Sequence, residues 1–179
     1  AYGGRLAGEI GPFDTDSGMA LGMDASLSAL QIGRIPVITR MVPQKLNGRL
    51  DGRLQIDNQG LLNANLRVAK ASVQLRVPMF GLKALNFETI DSELIFDGNR
   101  IELKECSLQG AEVDGTISGS IRLDARRGLA TLDLKGTASP HHAFLAKIEN
   151  SLPAKMLKGR DKIGFKLTGP IQSPAISFE

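Results

Sequence analysis

Along much of the chain, apolar and polar residues alternate strictly. Leu50, Gly52, Leu54 and Ile56 share one parity and Arg49, Asp51, Arg53 and Gln55 the other, which is the signature of a strand with one dry and one wet face. Asp57-Asn58-Gln59-Gly60 then supplies turn residues, and Leu62, Ala64, Leu66 and Val68 alternate with Asn63, Asn65 and Arg67 on the way back, so an antiparallel hairpin is predicted. A second hairpin is predicted from Ser92–Phe96 through Asp97-Gly98-Asn99 into Arg100–Leu108. A third runs from Gly115–Leu123 through the turn at 124–128 and returns along Leu129–Gly136. Val73–Val77, Ile163–Leu167 and Ala175–Phe178 add shorter alternating runs.

Two stretches break the alternation. Ser139 is a good N-cap and Pro140 suits a first helical position, so a short helix is predicted from there to Pro153, with Phe144, Leu145, Ile148 and Leu152 as its docking stripe. Between Asp24 and Gln31, Leu27 and Leu30 stand three apart as in a helix, while Ser26 and Ser28 also permit alternation; both readings stay open.

Three segments read Gly-x-aliphatic-x-Gly: Gly4 to Gly8, Gly48 to Gly52 and Gly115 to Gly119. On a regular strand each places a small-large-small stripe on one face, which lets a bent sheet approach another layer closely. Contact between the Gly48 and Gly115 segments is the corresponding expectation; three ordinary glycine-bounded strand starts are the plainer reading.

Composition agrees with a turn-rich β-protein, since glycine supplies 20 of 179 residues and aromatics only 4%. With 42% hydrophobic and 23% charged residues, one domain spanning 1–179 can bury an ordinary core. No window is apolar enough to cross a bilayer as a helix, and a start at Ala1 rather than Met leads to the expectation that a leader or anchor has been removed. The lone Cys106 excludes an intrachain disulfide and reads as a small packing residue.

Candidate chemistry is sparse. His141 and His142 are adjacent, diverge by about 100° on a helix, and read as exposed or capping residues rather than metal ligands. No Gly-x-Ser-x-Gly elbow and no Gly-x-x-x-x-Gly-Lys-Ser/Thr loop occurs. Lys155, Lys158, Arg160 and Lys162 raise the question of an anionic partner; following a helix and lacking interleaved aromatics, they read first as solvated charges that suit the helix dipole, with headgroup contact second and nucleic acid excluded as a partner. No enzyme activity and no cofactor are expected.

The order of elements carries a resemblance. Gly48–Ile56, the Val77-Pro78-Met79-Phe80 step, Phe87–Leu108, the run from Gln109 to Leu123, and a closing Leu167-Thr168-Gly169-Pro170-Ile171-Gln172-Ser173-Pro174-Ala175-Ile176-Ser177-Phe178 together resemble the GspN family of the type II secretion system, within the wider AsmA-like group of bacterial envelope proteins. The likeness covers about Arg34 to the C-terminus and rests on glycine-and-aliphatic patterns, so it transfers no functional residue. It implies a non-enzymatic periplasmic β-domain held at the inner membrane by an N-terminal helix, with the secretin or inner-membrane secretion components as partners. AsmA-like relatives imply a second role, lipid binding or transfer along a curved apolar sheet.

The expected fold is therefore all-β: a curved antiparallel sheet or flattened half-barrel with one short C-terminal amphipathic helix. Leu50, Leu54, Ile56, Ile117, Ile121, Leu123, Leu132 and Leu134 are the candidate groove-lining residues, and an ordinary dry core is the alternative use of the same positions.

Overall fold

The computed structural model describes residues 3–15, 18–42, 44–57, 59–79, 82–124, 129–147 and 162–179. Ten strands, β1 Arg5–Thr15, β2 Gly18–Gln31, β3 Leu46–Ile56, β4 Leu62–Met79, β5 Leu82–Phe96, β6 Arg100–Gly110, β7 Val113–Asp124, β8 Leu129–Pro140, β9 Ile163–Pro170 and β10 Ala175–Phe178, lie in one antiparallel sheet in the order of the sequence. The sheet is not closed into a barrel. At about 4.8 Å per strand it is roughly 45 Å wide, and the longer strands run for about 35 to 60 Å. Helical structure among the described residues is minor: a 3-10 turn at Ile32–Arg34, α1 at Pro36–Met41 and α2 at His142–Lys147.

All three predicted hairpins form, in register. Ile56 pairs with Leu62 and Leu54 with Ala64 across β3–β4, Phe96 pairs with Ile101 across β5–β6, and Ile121 pairs with Leu132 across β7–β8. The turns are made by the residues that signalled them. Asp57 Oδ1 accepts the amides of Gln59 and Leu61. Asp97 Oδ1 accepts those of Asn99 and Arg100, and Gly98 supplies the left-handed φ of 100° between them. The residues 125–128 of the third turn lie outside the described residues.

Because directly paired residues share a face, the register defines rows that cross the whole sheet. One row reads Gly8, Ala25, Leu54, Ala64, Leu94, Leu103, Gly119, Leu134, Leu167 and Ile176 from β1 to β10. The next reads Ile10, Met23, Ile56, Leu62, Phe96, Ile101, Ile121, Leu132 and Gly169. A face this uniform cannot be kept by strict alternation alone, and four irregularities maintain it. Where Leu27 and Leu30, Val68 and Ala71, Phe87 and Ile90, or Leu103 and Cys106 stand three apart, the register shifts by one residue beside them. Each such bulge returns the next apolar residue to the same side and bends its strand. Ala29 and Lys70, with φ of 54° and 52°, carry the backbone strain of two of them.

The sheet curls around its apolar side. Ala64 and Ala130 are only 2% exposed, and Ala25, Leu50, Ala71, Phe87, Cys106, Leu132 and Leu134 complete the buried set within the strands. Glycines on this face are roofed by neighbours: Leu66 Cδ2 lies 2.7 Å from where a Gly52 Cβ would sit, and Phe165 Cζ 2.7 Å from that of Gly136. These contacts come from adjacent strands of the one sheet, not from the second layer that the glycine cassettes were expected to approach. The Gly48 and Gly115 cassettes themselves are not neighbours, because β4, β5 and β6 separate β3 from β7.

Two local expectations change. Ser139 and Pro140 do not open a helix; they close β8, paired with Asp114 and Val113, so ladder pairing outweighs the capping signal, and α2 begins at His142. Phe144 is buried and Leu145 half-buried, whereas Ile148, Leu152 and Pro153 lie outside the described residues. Asp24–Gln31 adopts the strand alternative.

Candidate functional site

The eight candidate lining residues all fall on the apolar face. Leu54 and Leu134 share one row, and Ile56, Ile121 and Leu132 share the next. Ile117 stands between Cys106 and Gly136, Leu123 opposite Ala130, and Leu50 between Leu30 and Val68. Leu50, Leu132 and Leu134 are buried, and Leu54, Ile56, Ile117, Ile121 and Leu123 remain half-buried. The face is thus packed at some positions and open to contact at others.

Its extent was missed from sequence. Leu6 and Ile10 on β1, and Ile176 and Phe178 on β10, continue the same rows to both edges, where they are 65%, 75%, 47% and 53% exposed. Their parity within short alternating runs was the available signal; which side each run would present depended on registers that the bulges shift. Polar groups on this face are few. Ser92 Oγ donates to the Leu66 carbonyl at 3.5 Å, and burial pushes the Cys106 thiol up, with the Asp91 carboxylate adding to it. No buried polar or charged residue occurs among the described residues.

The opposite face is a lattice of exposed charges. Arg53 grips Asp24 through two bonds, Nε to Oδ1 at 3.0 Å and Nη2 to Oδ2 at 2.5 Å, and Gln55 adds a third at 3.1 Å. Those contacts, led by the Arg53 hydrogen bonds, hold the Asp24 carboxyl below the usual carboxylate range. Arg67 pairs with Asp91, Lys104 with Glu102 and Lys166 with Asp133. Two hollows of about 490 and 550 Å³ lie between such side chains, the first around Asp51, Arg67 and Asp91 and the second around Glu102, Lys104 and Lys166. The first also takes in Glu93 and Glu105, which stand opposite each other in the ladder, so carboxylates outnumber its one arginine, while the second mixes both signs.

Among the described residues no group of three or more His, Cys, Asp or Glu side chains converges as a metal site. His142 is exposed, and the backbone carbonyl of His141 accepts the amides of Phe144 and Leu145. Of the basic cluster only Lys162 is described, and it is exposed; Lys155, Lys158 and Arg160 lie outside the described residues. No helix among the described residues is long and apolar enough to cross a membrane.

No family model, no curated protein and no solved structure matches the chain.

Proposed function

We propose that the protein is a non-enzymatic binding module whose curled apolar face holds the hydrocarbon chains of a lipid. The observation that carries this reading is the continuity of apolar rows over all ten strands, half-buried in the middle and exposed at both edges. A surface with so few hydrogen-bonding groups favours an occupant that needs none. An acyl chain meets that condition, whereas a peptide laid across the rows would strand its amides and carbonyls. Contact with several half-buried aliphatic side chains gives affinity in proportion to the area removed from water, about 25 cal/mol per Å².

The test places a photo-reactive amino acid at Leu54, at Ile121 and, as a polar-face control, at Ser120 in the full-length protein in its native cells. Lipid adducts at Leu54 and Ile121 but not at Ser120 are the expected result. Absence of lipid at both apolar positions, with efficient activation, overturns the reading.

A second reading is favoured by the exposed edges: a scaffold in which β1 or β10 pairs with a strand of a partner, as the likeness to the GspN family implies for a periplasmic secretion component anchored at the inner membrane. Leu6 and Ile10 would continue their rows onto that strand. Protein adducts from a probe at Leu6, with no lipid at Leu54, would favour the scaffold.

A further inference from the structure

The β6–β7 turn and the start of α2 are joined by one side chain. His141 Nε2 lies 2.9 Å from Asp114 Oδ2, and its Nδ1 lies 3.2 Å from the carbonyl oxygen of Ala111. A carbonyl oxygen only accepts, and so does an ionised carboxylate, so both ring nitrogens must donate. A neutral imidazole carries one N–H and can satisfy only one of these contacts. The imidazolium satisfies both.

The same residue ties the backbone in both directions. Its amide donates to the Glu112 carbonyl at 2.9 Å, and its carbonyl accepts the amides of Phe144 at 2.9 Å and Leu145 at 3.0 Å. Asp114 in turn accepts the Gly110 amide with its other oxygen at 2.9 Å, closing the turn from the β6 side. Phe144, one helical turn on, is 8% exposed. We propose that His141 is a proton-dependent clamp: its imidazolium fastens the Phe144-bearing start of α2 to the β6–β7 turn, and loss of one proton releases one of its two side-chain bonds and loosens that docking.

The charged groups acting on the ring come from two elements. Asp114 of β7 dominates through its hydrogen bond, and Glu112 of the turn adds a second negative charge; Glu112 Oε2 is itself buried with no hydrogen-bond partner among the described residues. Together with the Ala111 carbonyl they hold the His141 imidazole above its ordinary value of 6.5, against a smaller desolvation effect. Asp114 is held below 3.8 by His141 first and the Gly110 amide second. The sign follows from linkage: the clamp's contribution from His141 is complete below about pH 6.5 and fades as pH rises through the raised value, and that from Asp114 is complete above about 3.8 and fades as pH falls through the lowered one. The clamp is independent of what the apolar face binds.

The experiment reads the imidazole directly. In a His142→Ala background, which leaves one histidine, nitrogen NMR of the ring is followed from about pH 5 to about pH 9 together with the Phe144 and Leu145 amide resonances. Two protonated ring nitrogens near pH 6, a midpoint above 6.5, and amide shifts sharing that midpoint are expected. Asp114→Asn, which keeps an acceptor for the Gly110 amide, should lower the midpoint, and His141→Gln should make the amide shifts flat across the range. A neutral ring at pH 6, amides that ignore the imidazole titration, or an unchanged midpoint in Asp114→Asn would each overturn the clamp.

Discussion

The middle of the sheet and its two edges carry the same kind of side chain on the same face, yet their fates differ. Leu132 and Leu134 on β8 are 8% and 9% exposed, while Ile10 on β1 and Phe178 on β10, members of the same apolar face, are 75% and 53% exposed. Alternation therefore decides which face a residue joins, and the neighbours on either side decide whether it is buried. A central residue has a strand on both flanks; an edge residue has a strand on only one.

The comparison can be broken most severely at a central glycine. A Cβ on Gly136 would stand 2.3 Å from the Thr116 carbonyl and 2.7 Å from the Phe165 ring, so Gly136→Val should cost about 3 kcal/mol or more, read as a fall in the urea midpoint or as loss of a cooperative transition. Truncating a buried aliphatic comes next: Leu132→Ala and Leu50→Ala should each cost about 2 to 3 kcal/mol in the same assay. At the edge the same chemistry should do almost nothing, with Ile10→Ala changing stability by less than about 0.5 kcal/mol. Ile10→Asp should leave folding intact but reduce lipid or partner capture by a probe at Leu6, which separates binding from packing at that edge. The smallest effect belongs to the polar side. Asp24 and Asp97, held low by Arg53 and by the Asn99 amide respectively, contribute stability that is present above 3.8 and lost as pH falls through their lowered values. The double variant Asp24→Asn, Asp97→Asn should flatten the acid limb of a thermal-melting profile by lowering its neutral plateau slightly towards the acid value.

The fold was readable wherever a turn signal lay between two alternating runs. Asp57 to Gly60 and Asp97-Gly98-Asn99 set their hairpins locally, through bonds from their own aspartates. Where both readings stayed open, the cause was a bulge. Leu27 and Leu30 are three apart because an extra residue, with Ala29 at positive φ, sits between two strand positions, and a three-residue step in sequence is the same for a helix and for a bulged strand. Ser139-Pro140 failed for a different reason: the capping preference is local and weak, whereas pairing with Val113 and Asp114 belongs to a twelve-residue strand. The eight lining positions could be placed on one face from parity, but the outermost rows depended on pairing partners that no local pattern names. His141 was seen as a capping residue, and its ring contacts were out of reach because Asp114 and Ala111 lie about 30 residues away in sequence.

Strictly sequential strand order has a consequence for how such a sheet can change size. Strands adjacent in the sheet are consecutive in the chain, so a hairpin could be inserted or removed between existing ones without changing the order of the rest, and its two strands would restore the direction for the next. Each hairpin widens the sheet by about 10 Å. Width is thus adjustable in discrete increments, and a lineage could tailor the span of its apolar surface by duplicating a two-strand unit whose alternation and bulges already know which side to face.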